Sequence, residues 1–341
     1  MSFRAILGQD GAVGALRRAL SADRVAHAYI FAGHPGVGKM TAAVEFARAL
    51  VCAAGRDDAC GECRACRKVD RDVHPDVHRV EPEGAGRQIR IGVIREQVQK
   101  PLHLKPYEAA RKVVLIDDAH AMNLSAANCL LKTLEEPPPR SVLILVTPQL
   151  DALPETLLSR CHIIRFAPLA PELIREQLEA QGADPDSARF LAGSSSGSLG
   201  RAFQMARTAQ LPELRRQVLD LVTGLERPNI VASAARFVKL AAETAESRAE
   251  SRSIAEWLLD LAALFYRDVA VRQLGVPTAD LSNADVTDRV DSETAISRLG
   301  IRAILDTIEE TKGLLRSNVD LDAAVLDAFS KVAHYRSRRA A

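Results

Sequence analysis

The chain has 341 residues, too many for one ordinary hydrophobic core, so two or three domains are expected. Its 47% apolar and 26% charged residues fit a soluble globular protein, and a net charge of +1 excludes a global field that would draw it onto nucleic acid. Aromatic residues make up 4%, too few for a base-stacking platform, and no apolar run approaches the ~20 residues that span a bilayer. With no signal-peptide pattern at the N-terminus, the expected location is the cytoplasm, with no membrane role.

The run Ala28-Tyr29-Ile30-Phe31-Ala32 predicts a short buried strand, and residues 41–50 predict the helix after it. Between them, Gly33-His34-Pro35-Gly36-Val37-Gly38-Lys39-Met40 follows the phosphate-loop pattern G-x-x-x-x-G-K-[ST] with Met40 in the last place. The glycines let backbone N–H groups surround a phosphate chain, and Lys39 neutralises its outer charge. A hydroxyl at the last position would touch Mg²⁺, for which a thioether is a poor ligand. Thr41 lies one residue late, and a helix turns about 100° per residue, which aims its hydroxyl elsewhere. Nucleotide binding and nucleotide hydrolysis are therefore separate questions, and a retained but silent fold element is the alternative to both.

Next come Cys52, Cys60, Cys63 and Cys66, the last three as C-x₂-C-x₂-C. Four thiolates in a cytoplasmic chain read as a tetrahedral structural Zn²⁺ site, with free thiols as the alternative. His74 and His78 are near enough to substitute, but the cysteines complete the set and the histidines read as surface positions. Cys129 and Cys161 read as small core residues.

Residues 113–116 and 142–146 are two further apolar strands, ending at Asp117-Asp118 and at Thr147. Continuous apolar strands separated by helices predict a parallel sheet covered on both faces, with ligands at the carboxyl ends, where Lys39, Asp117 and Thr147 fall. Asp117 is placed to hold a metal through water, and Asp118 stands where a longer Glu would orient an attacking water. Arg160 in Ser159-Arg160-Cys161 is either a solvated loop charge or a guanidinium aimed at a neighbouring subunit's phosphate.

After about residue 168 the texture turns helical. Helices are predicted over 171–181, from 186 to 192 and over 199–206, with a turn-rich break at 193–198. From about 211 everything reads as helix. Ile254, Trp257, Leu258, Leu261, Leu264 and Phe265 form one apolar stripe, continued in style by Ile304, Ile308, Leu314 and Leu315. The ending Arg336-Ser337-Arg338-Arg339 reads as a solvated basic tail.

The stretch Asn128-Cys129-Leu130-Leu131-Lys132-Thr133-Leu134-Glu135-Glu136-Pro137-Pro138, with Ser159-Arg160-Cys161, resembles the bacterial clamp-loader AAA+ subunits of DNA polymerase III. Ile6-Leu7-Gly8-Gln9, His27-Ala28-Tyr29-Ile30-Phe31, the cysteine module and a closing Asn318-Val319-Asp320 agree with it. The resemblance implies a P-loop sheet domain over 1–168 with a zinc module at 52–66, a helical lid over 169–210, and an all-α collar over 211–341. Met40 and Asp118 depart from the gamma/tau motor and resemble the delta-prime stator branch. In that branch the Ser-Arg-Cys arginine, here Arg160, acts on ATP held by an adjacent gamma subunit. Thr147 resembles the sensor-one region, although Pro148 is unusual there. Gly197-Ser198-Leu199-Gly200-Arg201 resembles the lid's sensor-two stretch, with Arg201 offset by one residue. The implied nucleotide-binding set is Gly33, Gly36, Val37, Gly38, Lys39, Met40, Thr41, Asp117, Asp118, Thr147 and Arg201, with ATP and Mg²⁺ doubtful in cis. The implied partners are gamma/tau and delta subunits, the sliding clamp, and primed DNA through the complex. Polymerase activity would belong to the holoenzyme. Two other readings stay open: an ATP-hydrolysing gamma-type motor, and a nucleotide-free scaffold.

Overall fold

Five strands, β1 (Ala28–Ala32), β2 (Val77–Val80), β3 (Lys112–Ile116), β4 (Ser141–Thr147) and β5 (His162–Arg165), form one parallel sheet in the order β2-β3-β4-β1-β5. This computed structural model describes residues 2–54, 57–82, 88–207, 211–225, 227–245, 248–278, 281–317 and 319–337; Asn318, Arg338 and Arg339 lie outside them. Every residue of β1, β3 and β4 is buried, because helices cover both faces. Strand alternation sends Tyr29, Phe31, Val113, Leu115, Val142 and Ile144 to one core, packed with α1 (Asp10–Ser21) and α2 (Lys39–Val51). Ile30, Val114, Ile116, Leu143 and Leu145 face the other core, with helix Leu124–Glu135 and the helical segment 91–103. The expected sheet architecture is what the chain adopts, with β2 and β5 added at its edges.

His74 is not a surface residue: it is 4% exposed. Its Nδ1 accepts the Asp76 N–H at 3.1 Å and its Nε2 lies 3.4 Å from Glu108. Asp76, fully buried, accepts backbone N–H groups from Tyr107, Glu108 and Ala109 at 2.6, 2.8 and 2.9 Å and so fixes the loop before β3. Burial alone would raise its pKa, but these donors and Lys112 outweigh burial and hold it below the ordinary 3.8. A depressed carboxyl contributes stability that is complete above the unfolded value and is lost as pH falls through the lower folded value. Asp76→Asn removes the charge and an acceptor oxygen, with an expected loss of about 2 kcal/mol in denaturant unfolding at neutral pH. The loss should shrink in acid, and equal losses at both pH values would count against the anchoring role.

The chain divides into two compact units: residues up to 174 with 197–201, and residues 175–196 with those from 202 onward. The second is helical, including Leu211–Thr223, Ile230–Thr244, Arg248–Arg272, Arg298–Arg316 and Leu321–Arg336. Trp257, Leu258, Leu261, Leu264 and Phe265 are buried along the predicted stripe, as are Ile304, Ile308 and Leu315, whereas Leu314 is exposed. Phe237 packs edge-on against Phe329 at 5.3 Å.

Arg336 departs from the solvated-tail expectation. It ends helix Leu321–Arg336 with its side chain 14% exposed, bonded to Glu293 at 2.6 and 3.0 Å and to the Leu225 and Thr223 carbonyls. A chain end is tied down when its charge finds buried partners, and here four acceptor atoms do so. Arg336→Ala strands the Glu293 carboxylate in the interior and should cost about 3–5 kcal/mol in denaturant unfolding of the full chain. A change within about 0.5 kcal/mol, typical of a surface site, would return Arg336 to the solvated tail. Among the described residues no helix is long and apolar enough to cross a membrane.

Candidate functional site

The phosphate loop leaves β1 and turns into α2 through Gly38, whose φ of +97° only glycine adopts without strain. Lys39 opens α2, and its Nζ donates to the His34 carbonyl at 2.7 Å, which curls the loop around the ammonium. Burial pulls the Lys39 pKa down, against the pull of Asp117 and Asp118. Gln9, buried ahead of α1, donates to the Val37 and Ala167 carbonyls at 3.4 and 2.7 Å and accepts the Ala167 N–H at 3.0 Å. It fastens the loop to the chain beyond β5. Residues 197–201 lie against Gly36: the Gly200 N–H donates to its carbonyl at 3.3 Å, and a Cβ on Gly36 would meet Ser198 Oγ at 2.1 Å. The Arg201 N–H donates to that same hydroxyl at 3.1 Å. Residues 197–201 thus meet the loop through the Gly200 backbone and the Ser198 hydroxyl.

Asp117 follows β3 and Asp118 follows it in the left-handed conformation, φ 46°. Asp117 Oδ1 accepts the Asp118 N–H at 2.9 Å, and its Oδ2 lies 3.3 Å from Arg79 Nη2. Asp118 lies 4.0 Å from His120 Nδ1. Met40 packs against the core beneath the loop, and Thr41, one position on, is exposed. A resident Mg²⁺, which this loop type implies, needs hard oxygen donors in near-octahedral order. A thioether turned to the core and a carboxylate already held by a guanidinium and an N–H do not supply them. Thr147 ends β4 fully buried; its Oγ1 donates to the Gln149 carbonyl at 2.8 Å and accepts the Gln149 N–H at 3.1 Å, which shapes the turn through Pro148.

Arg160 lies away from these groups in sequence, after the short helix Glu155–Leu158. Its guanidinium donates to Glu135 at 2.8 Å, to the Thr156 carbonyl at 3.0 Å and to Ser159 Oγ at 3.3 Å. Its side chain is 37% exposed, so the fork is oriented yet open to solvent. Glu135 closes helix Leu124–Glu135, which connects the two quoted signature stretches physically.

The four cysteine sulfurs all lie within 4.8 Å of one another, with Cys52–Cys63 and Cys60–Cys66 each at 3.9 Å. Tetrahedral bonds of about 2.3 Å to a central Zn²⁺ require sulfurs about 3.8 Å apart, so the cluster has metal-binding size. Successive N–H groups of Cys60, Cys63 and Cys66 donate to the sulfurs of Cys52, Cys60 and Cys63, each at 3.4 Å. The helix α3 (Arg64–Asp70) caps on Cys63, and Arg48 of α2 joins Asp70, which ties the module to the phosphate-loop helix. His74 and His78 are not needed to complete this set. Cys129 and Cys161 are half-buried against the second core, and burial pushes the Cys161 thiol up to about 12.

Sequence reasoning passed over Gln9, Arg79, Ser198 and Glu135 as functional positions. Gln9, Glu135 and Ser198 were visible only as letters in quoted stretches, and Arg79 as a charge in an unrecognised edge strand.

A family profile described as "DNA polymerase III, delta subunit" matches residues 8–170. The Bacillus subtilis DNA polymerase III subunit delta' is 32% identical over 261 residues, 76% of each chain. The Pseudomonas aeruginosa subunit delta' is 36% identical over 228 residues, 61% of this chain and 64% of that one. The Buchnera aphidicola subunit gamma is 33% identical over 214 residues, 61% of this chain and 58% of that one. With a parallel P-loop sheet, a helical C-terminal part and this level of identity across three quarters of a relative, the chain belongs to the DNA polymerase III clamp-loader family of AAA+ subunits.

Proposed function

We propose that the chain acts as the delta-prime type of clamp-loader subunit, a stator that helps place a sliding clamp on primed DNA. The observation that carries this reading is a phosphate loop without a metal-seating hydroxyl, in the same unit as an open, oriented Arg160. Its own site is a weak or inactive ATPase, and Arg160 reaches the γ-phosphate held by a neighbouring gamma/tau subunit. The sheet domain at 1–168, the lid at 169–210 and the collar at 211–341 then serve the phosphate loop, its cover and assembly with gamma/tau and delta. Polymerase activity belongs to the holoenzyme and the location is the cytoplasm. The cysteine cluster holds one structural Zn²⁺, bound by Cys52, Cys60, Cys63 and Cys66.

The purified chain incubated with ATP and Mg²⁺ tests the stator reading. No steady turnover is expected above that of Lys39→Ala. Turnover abolished by Lys39→Ala would make the chain a gamma-type motor instead. A chain that neither binds a labelled ATP analogue nor stimulates a gamma ATPase in the reconstituted loader would be a scaffold.

A further inference from the structure

The carboxylate that should face a metal faces an arginine instead. Arg79 pairs in register with Leu115 across β2 and β3, and the Asp117 N–H donates to the Val80 carbonyl at 2.9 Å. Val113 and Leu115 point to the α2 side of the sheet, so strand alternation brings Asp117 and Arg79 out on that side too, at the end where the phosphate loop lies. There Arg79 Nη2 sits 3.3 Å from Asp117 Oδ2 and 2.8 Å from Glu81. As a stabilising pair this contact is worth little, because the Arg79 side chain is 36% exposed and exposed pairs contribute roughly 0–1 kcal/mol. Its position matters more. A metal-bound water bridging to Asp117 would need the space beside Oδ2 that the guanidinium holds. Met40 removes the other anchor of the ion. The two departures act on the same ion, one deleting a ligand and the other placing a guanidinium against the carboxylate that would hold its water.

We propose that Arg79 takes the place of a divalent cation at Asp117, making the phosphate loop a metal-independent site for anionic oxygens, with a nucleotide polyphosphate bound without Mg²⁺ as its ligand. This builds on the stator reading above and adds to it that the loop holds nucleotide. Lys39 and the loop N–H groups supply the remaining complement to the anion, and nothing in the arrangement activates a water.

Two titrations test it on the full chain. In the first, ATP binding is measured with Mg²⁺ and with EDTA. The wild type and Arg79→Lys should differ by no more than about twofold between conditions, while Met40→Thr combined with Arg79→Gln should bind at least about tenfold more tightly with Mg²⁺. In the second, Mn²⁺ alone is titrated by its effect on water proton relaxation. Arg79→Gln should gain a site that the wild type lacks, and Asp117→Asn on that background should remove it. Circular dichroism confirms that each variant is folded, and Arg79→Lys controls for loss of the side chain as such. A wild type whose ATP affinity falls about tenfold on chelation overturns the proposal. So does an Asp117-dependent Mn²⁺ site already present in the wild type, or an Arg79→Gln variant that gains none. A wild type with no ATP affinity in either condition sinks the nucleotide-holding reading and the metal-free site with it. The Mn²⁺ arm then still decides whether Arg79 keeps cations out.

Discussion

Arg160→Ala should leave the chain folded and assembled while lowering the DNA-stimulated ATPase of a reconstituted loader by about 10³-fold or more, the scale of an arginine finger supplied in trans. That factor corresponds to about 4 kcal/mol of transition-state stabilisation. The physical basis is charge developing on a γ-phosphate, which a guanidinium fork meets with two parallel N–H donors. Arg160 is prepared for this by Glu135, the Thr156 carbonyl and Ser159 Oγ, which together fix its direction. A group already oriented loses less rotamer freedom when the neighbouring phosphate arrives. Folding depends little on it, because Glu135 is 53% exposed and water solvates it when the arginine goes. The stability change should therefore stay within about 0.5 kcal/mol. Arg160→Lys retains charge but not the fork and should recover only a small part of the rate. An Arg160→Ala loader that hydrolyses ATP at the wild-type rate removes the finger from this residue.

The sheet was legible where burial is two-sided. β1, β3 and β4 have helices on both faces, so their sequences are unbroken apolar runs with no competing signal. β2 and β5 lie at the two edges, where cover is partial, and Val77-His78-Arg79-Val80 and His162-Ile163-Ile164-Arg165 carry too much polarity to register as strands. That loss had a functional cost, because Arg79 reaches Asp117 only through the pairing of β2 with β3. The cysteine module was legible for the opposite reason: its spacing is local, and four sulfurs a few residues apart need no tertiary knowledge to converge. His74 and Arg336 were misjudged because a polar side chain reads as solvated until its partners are known. Those partners lie far along the chain, Glu108 for the first and Glu293 for the second. Hydrophobic periodicity reports which face is covered, and it is silent about which charges are neutralised.

Removal of the Zn²⁺ proposed for the cysteine module is the other change with a large expected effect. Burial pushes the Cys63 thiol up, but N–H groups of Cys66 and Ala53 and the adjoining thiols outweigh it and bring it down to about 6. Burial and the Cys63 hydrogen bond push the Cys66 thiol up instead. One sulfur is therefore readily ionised while its neighbour, desolvated and hydrogen-bonded to Cys63, resists. A Zn²⁺ at the centre would neutralise the thiolates and its binding would release protons, so affinity should fall as the solution is acidified. Structural zinc binding to small thiolate modules is worth roughly 10–16 kcal/mol at neutral pH, and it is folding free energy. The module is short of an independent core: Cys66, Val69 and Ala59 are its buried apolar contribution, and the rest of its attachment is polar. Asp58 receives the Phe3 N–H at 3.2 Å and Arg17 at 3.0 Å, and Asp70 receives Arg48 of α2. Loss of the ion should thus loosen α3 first and then, through Arg48, the buried face of the phosphate-loop helix, where Glu45 lies 3.1 Å from the same guanidinium. The purified chain should contain about one zinc per molecule by elemental analysis, as a closed four-thiolate site requires. Chelation or Cys63→Ser should remove it and lower the thermal midpoint of the sheet unit, while Cys129→Ser should retain it. Acid should eject the metal, because protons compete with it for the thiolates, and should do so only below the pH at which the metal-free Cys63 thiol would be protonated. A chain that is zinc-free as isolated, or one whose midpoint is indifferent to Cys63→Ser, would mean that the N–H donors and the Asp58 and Asp70 contacts hold the module without a metal.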